Sequence, residues 1–250
     1  MALAHDVDGT GPAVVLLHSS AADRRMWDPQ VGALLAAGHR VLRCDFRGFG
    51  DTPPARGYHD AEDVRDLLDY LGIEVAALVG ASFGGRISQE IAARWPARVN
   101  RLVLLCAGMV DAEPSPELLA FAEREEELLA AGDIDAAVEL NVRTWLGPDA
   151  DERAREAIRV MRRHSFAVQA AFDGGPDAPR GPIDVTTIQA PTLVVSGAHD
   201  VRDFRDIAAV LAREIPKARH VELPWAGHLP NLERPAEVTA LLIDFLGSAA

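Results

Sequence analysis

Ser82 stands in Gly80-Ala81-Ser82-Phe83-Gly84, after the apolar run Ala76-Ala77-Leu78-Val79 and ahead of a helical pattern. A G-x-S-x-G spacing at a strand-to-helix junction is the pattern of a nucleophile elbow. The tight turn forces the central residue into a strained backbone conformation, and side chains two positions away on either side would collide with neighbouring backbone. A serine hydroxyl attacks poorly at neutral pH, so it needs a histidine to take its proton and a carboxylate to fix the tautomer of that histidine. In the order serine, acid, histidine, the candidate bases are His199, His220 and His228. His228 lies in the Gly/Pro-bracketed loop Trp225-Ala226-Gly227-His228-Leu229-Pro230, after an expected strand at 219–223, and is the expected base. His220 falls in that strand, and His199 neighbours the acid.

Asp200 is the expected acid. The run Pro191-Thr192-Leu193-Val194-Val195 stops at Ser196-Gly197, which puts Asp200 in a loop just beyond a buried strand. Asp111, after an expected strand at 99–105, is the reserve candidate, while Asp203 and Asp206 read as charges near the start of the next helix. Acyl transfer also needs donors where negative charge develops. The amide of Phe83 is one, and Ser20, after the run Ala13-Val14-Val15-Leu16-Leu17 and His18-Ser19, is expected to supply the second. His18, at a strand end, reads as ordering that loop.

These residues must be held by elements, and the chain alternates between strand and helix patterns. Expected strands at 14–17, 40–44, 75–79 and 99–105 are separated by expected helices within 28–37, 60–71 and 84–95. The strands are almost continuously apolar, as in a parallel sheet covered on both faces, so the active loops should gather at the strand C-termini.

With Leu16-Leu17-His18, Asp45-Phe46-Arg47-Gly48-Phe49-Gly50, Gly80 to Gly85, Ser196 to Asp200 and Gly227 to Pro235 in this order, the chain resembles the serine α/β-hydrolases. The likeness is to bacterial β-ketoadipate enol-lactone hydrolases and related small esterases, and it covers nearly the whole chain. It implies an α/β fold with a mostly parallel central sheet, helices on both faces and a helical cap inserted between two strands. Hydrolysis of a small ester or lactone through an acyl-enzyme, without cofactor or metal, is the implied activity. The family usually places Gly after the first His, where this chain has Ser19-Ser20. Only 17 residues precede His18, room for about one strand and a turn. Other uses of such a fold are perhydrolysis, with peroxide replacing water, and non-hydrolytic biosynthesis or ligand reception.

The expected core is 1–110 with 183–250, and the expected cap is 111–182, opening at Pro114-Ser115-Pro116 and closing in the Gly/Pro-rich stretch from Gly174 to Pro182. Phe121, Trp145, Met161 and Phe166 are the candidate pocket residues of the cap, joined by Trp27 from beside the oxyanion loop. The run Arg162-Arg163-His164 reads as a solvated helix face, as does Glu123 to Glu127, and Arg47 to Gly50 as a structural turn.

Length and composition bound the rest. At 250 residues and 48% hydrophobic, the chain can bury one large core, and a net charge of −13 without a basic cluster excludes nucleic acid and anionic membranes as expected partners. A small-molecule substrate is the expected partner, and composition is silent on oligomeric state. No run of eighteen apolar residues occurs and residues 1–10 lack a signal-peptide pattern, so a cytoplasmic protein is expected. Cys44 and Cys106 end expected strands and read as small buried hydrophobes, with no disulfide and no metal-ligand spacing.

Overall fold

A computed structural model describes residues 3–170, 172, 174 and 182–247. The apolar runs become strands β1 (His5–Asp8), β2 (Ala13–Leu17), β3 (Arg40–Cys44), β4 (Ala76–Ala81), β5 (Val99–Leu105), β6 (Thr192–Gly197) and β7 (Ala218–Leu223). They form one sheet in the order β1-β3-β2-β4-β5-β6-β7. Only β1 runs antiparallel, pairing His5 with Cys44 at the β3 edge; the other pairings are parallel. One strand thus precedes the β2–His18 segment, as the 17-residue lead allows.

The helices follow from the crossovers that parallel strands require. They are α1 (Asp28–Ala36), α2 (Asp60–Tyr70), α3 (Phe83–Arg94), α4 (Pro116–Ala130), α5 (Ile134–Trp145), α6 (Glu152–Gln169), α7 (Arg202–Glu214), α8 (Pro230–Glu233) and α9 (Pro235–Gly247). Alternation along each strand sends side chains to two separate cores. Val15, Leu17, Leu78, Leu102 and Leu104 pack with α2, α3 and α7 through Val64, Leu68, Ile87, Ile91, Ala208 and Leu211. On the opposite face Val14, Leu16, Val79, Val103 and Val195 pack with Leu34 of α1 and Val238 and Leu242 of α9. Leu16, Leu78 and Leu102 are wholly buried, which stabilises the fold by roughly 1.5–3 kcal/mol each.

Between β5 and β6 the chain makes only helices among the described residues, α4 to α6. Each begins at a side-chain cap: Ser115, Asp133 and Asp151 accept from the amides of Leu118, Ala136 and Ala154. This insert shares a core with the sheet, because Val142, Trp145, Leu146, Ala154, Ile158 and Met161 join the cluster that holds Val14, Leu16 and Trp27. Of the Gly/Pro-rich stretch expected to close it, most lies outside the described residues. No described helix is long and apolar enough to cross a membrane.

Candidate active site

The turn from β4 to α3 carries Ser82 at φ 50°, ψ −111°, a left-handed conformation that costs a non-glycine residue roughly 1–3 kcal/mol. Neighbouring backbone over-determines it. The Ser82 amide donates to Leu105 O (2.9 Å), and the Ser82 carbonyl accepts from Arg86 N (3.0 Å) and Gly108 N (3.1 Å). The flanking glycines allow the approach: a Cβ on Gly80 would strike Gly84 O and Ser88 Oγ, and one on Gly84 would strike the carbonyls of Leu17 and His18. Gly84 N–H donates to His18 O at 3.0 Å, which ties the elbow to the end of β2.

Asp200 and His228 meet from the loops after β6 and β7. His228 Nδ1 lies 2.9 and 2.8 Å from the two carboxylate oxygens of Asp200, and both residues are buried. An ionised carboxylate accepts only, so Nδ1 carries the proton and Nε2 keeps a lone pair. The loops approach closely because Gly197 lacks a Cβ that would collide with Gly227 O. Val201 N–H also donates to Asp200 Oδ1 (2.7 Å), and His199 N–H to Ala226 O (2.9 Å), while the His199 side chain is exposed. His220 bonds Ser196 Oγ within the sheet at 2.8 Å, and Asp111 is exposed at φ 65°. Asp203 binds the amide and hydroxyl of Ser115 at 2.6 Å each, and so anchors the start of α4 in addition to lying on the first turn of α7. No hydrogen bond joins Ser82 Oγ to His228 Nε2 among the described residues.

The loop after β2 is wired around Ser19 and Ser20. Phe46 N–H donates to His18 Nε2 (3.0 Å), so His18 Nδ1 holds the proton and donates to Ser19 O (2.8 Å). Complete burial pushes the His18 pKa down and keeps the ring neutral. Ser19 O also accepts from Ala22 N (3.0 Å), Ser19 Oγ from Ala21 N (3.1 Å), and Met26 Sδ from Ser19 N (3.3 Å). Among the described residues, none accepts from Ser20 N–H. Arg24 beside this loop bonds Asp6, Asp45 and Asp51, which ties it to β1 and to the 45–51 turn, where Gly50 leaves room for the Asp45 carboxylate.

Aromatic rings pack around His228. Trp145 stands 4.8 Å from the His228 ring, Phe204 4.1 Å, and Phe121 meets Trp145 edge-on at 4.7 Å. The other candidate pocket residues lie elsewhere: Trp27 and Met161 are buried in the core shared by sheet and insert, and Phe166 packs with Leu128, Ala137 and Val138 between the insert helices. Phe204 was missed by sequence reasoning. Its signal is position, four residues after Asp200 on the first turn of the next helix.

Two readings of the charged runs are corrected. Arg162 is 6% exposed rather than solvated: it donates to Ser20 O (3.0 Å) and to Glu125 Oε1 (2.8 Å) and stacks on Phe166. Glu125 is correspondingly half-buried within an otherwise exposed acidic stretch. Cys106 is wholly buried, as a small hydrophobe would be, and its Sγ, Asp200 and a nitrogen of His228 all lie within 4.8 Å of one another. That is a donor set by residue type, but burial pushes the thiol well above its ordinary pKa, so it stays protonated and ligates poorly. Cys44 and Cys106 are both free thiols.

The family model described as "Alpha/beta hydrolase family" matches residues 14–241. The relative named "Putative non-heme bromoperoxidase BpoC" of Mycobacterium tuberculosis is 30% identical, over 98% of each chain. Among solved structures, a hydrolase from Pseudomonas aeruginosa is 33% identical with a TM-score of 0.80, covering 98% of this chain and 94% of its own. The enol-lactonase from Burkholderia xenovorans is 30% identical with a TM-score of 0.78, covering 98% and 96%. The topology, the strained serine turn and a match along most of the sequence lead to one conclusion: the chain belongs to the alpha/beta hydrolase family.

Proposed function

We propose that this protein is a cofactor-independent serine hydrolase that cleaves an ester or lactone of a small molecule. The observation that carries the reading is the buried His228–Asp200 pair, at 2.8 Å, set at the same C-terminal end of the parallel strands as Ser82 in its strained turn. Ser82 Oγ attacks the carbonyl carbon while His228 Nε2 takes the hydroxyl proton, and Asp200 stabilises the imidazolium that forms. The amides of Phe83 and Ser20 receive the oxyanion. Collapse of the tetrahedral intermediate breaks the carbonyl–oxygen bond and His228 returns the proton to the leaving alkoxide. Water then attacks the acyl-enzyme by the same route, releasing acid and free Ser82. The segment 111–182, whose described helices are α4 to α6, serves as the cap, with Phe121 and Trp145 facing an apolar acyl group beside Phe204 of the core. The Burkholderia xenovorans enol-lactonase, of similar fold and 30% identity, supports a lactone among the substrates.

Labelling by a fluorophosphonate and release of nitrophenol from short p-nitrophenyl esters test the reading. Both are expected in the wild type and absent from Ser82→Ala, with turnover down at least about a thousandfold and the fold retained. Turnover in Ser82→Ala equal to the wild type would overturn it. The bromoperoxidase relative favours a second reading, in which hydrogen peroxide attacks the same acyl-enzyme and releases a peracid. Bromide oxidation that requires acetate, peroxide and Ser82 together would establish it.

A further inference from the structure

Arg162 is a buried cation on α6, in the insert, that reaches a backbone carbonyl beside the proposed oxyanion donor. Its bonds continue in one chain. Nη2 donates to Glu125 Oε1 of α4 (2.8 Å); the same oxygen accepts from Asn141 Nδ2 of α5 (2.5 Å); Asn141 Oδ1 accepts from Trp145 Nε1 (2.9 Å). Trp145 in turn touches the base loop twice, through its ring 4.8 Å from the His228 ring and through its carbonyl, which accepts from His228 N–H at 2.9 Å. The chain runs from the loop after β2 to the loop after β7 without passing through the sheet.

Stability does not explain these residues. A buried ion pair returns little net stability over apolar side chains of the same volume, and α4, α5 and α6 already share Leu128, Val138 and Phe166. What apolar side chains could not do is hold the Ser20 carbonyl. The two peptides that flank Ser20 are fixed separately: the Ser19 carbonyl by His18 Nδ1 and Ala22 N–H, the Ser20 carbonyl by Arg162. The Ser20 N–H shares a peptide plane with the Ser19 carbonyl, so His18 and Ala22 aim it; Arg162, holding the next peptide by the Ser20 carbonyl, keeps that plane from turning about the Ser20 Cα.

We propose that Arg162, Glu125 and Asn141 are positioning residues, through which the insert sets the oxyanion loop at Ser20 and the base loop at His228 as one unit. The proposal rests on the serine-hydrolase reading for its kinetic consequence but not for its structural one, and the test separates the two. Arg162→Met and Asn141→Leu are compared with the wild type by amide hydrogen exchange over residues 18–27 and 225–232, and by kinetics on p-nitrophenyl acetate normalised to fluorophosphonate-titrated sites. Arg162→Met is expected to raise exchange at the Ala21 and Ala22 amides about tenfold and to lower kcat about tenfold or more, with KM within about twofold, as for a group acting only in the transition state. Asn141→Leu, which touches neither Ser19 nor Ser20, is expected to raise exchange in both loops. Exchange confined to the base loop in Asn141→Leu, or wild-type exchange and kcat in both variants, overturns the proposal. If the wild type takes no fluorophosphonate, the serine-hydrolase reading fails and the exchange result alone decides the coupling. A fold defect in either variant would raise exchange in β4 and β5 as well, and an increase spread over those strands would assign the network a structural role and so overturn the proposal.

Discussion

At the residue scale the site depends on small contacts that leave no alternative side chain. Gly84 must lack a Cβ because the carbonyls of Leu17 and His18 occupy that space, and Gly197 because Gly227 O does. Asp200 is buried with both oxygens on His228 Nδ1, whereas Asp111 is exposed. Asp200→Asn would present an amide to the ring and favour the wrong tautomer, so kcat is expected to fall by about 10⁴ while Asp111→Asn stays within about twofold. Steady-state kinetics on a short p-nitrophenyl ester check the ranking, and the reverse order would move the acid to the loop after β5. The strained turn at Ser82 and the meeting of His228 with Asp200 were legible because glycines and strand ends mark them. Arg162 was not: a run of two arginines and a histidine on a polar helix reads as solvated, and only the fold brings Ser20 O to it.

At the element scale, the insert is joined to the core by backbone as well as by packing. Glu233 of α8 is buried and accepts from the amides of Gly227 (3.0 Å) and Gly147 (3.1 Å), clamping the loop after β7 to the link between α5 and α6. Gly147 and Gly227 stand so close that a Cβ on Gly227 would strike Gly147 N. Removing the carboxylate leaves two buried donors unpaired, at about 1–3 kcal/mol each. Glu233→Ala is therefore expected to lose about 2–6 kcal/mol in urea unfolding and Glu233→Gln, which keeps one acceptor oxygen, about half of that. A loss under about 1 kcal/mol in Glu233→Ala would show that the clamp is dispensable. Strands Arg40–Cys44 and Val99–Leu105 could be bounded from sequence because each carries a short run of branched apolar side chains, Val41-Leu42 and Leu102 to Leu105, with a glycine close beyond its end. The docking of the α5 end on the loop after β7 could not, since the Trp145 ring and carbonyl, Gly147 and Glu233 meet that loop only once the fold brings distant segments together.

At the scale of the whole molecule, a chain with 38 acidic and 25 basic residues cannot give every carboxylate a cation of its own. Asp60, the first residue of α2, shows where the excess is felt. It is 7% exposed; Asp63 and Glu90 nearby are bonded to Arg47 and Arg94, and Arg86 lies over the Phe83 ring. Burial pushes the Asp60 pKa up to about 6, against an opposing pull from Arg86, and the charges of Asp63 and Glu90 push the same way as burial. A folded pKa above the ordinary value of 3.8 means the ionised form opposes folding. The stability linked to its proton is complete below about pH 4 and is lost as pH rises through about 6. Asp60→Asn removes that loss, which at 1.36 kcal/mol per pK unit is at most about 3 kcal/mol, less about 0.5–1 kcal/mol for a negative charge forgone at a helix N-terminus. The variant is therefore expected to exceed the wild type by about 2 kcal/mol in urea unfolding at pH 8, with the gain shrinking between pH 6 and 4. An equal gain at pH 4 and pH 8 would assign it to packing instead, and a loss at pH 8 would mean that the ionised carboxylate is held by a partner stronger than Arg86.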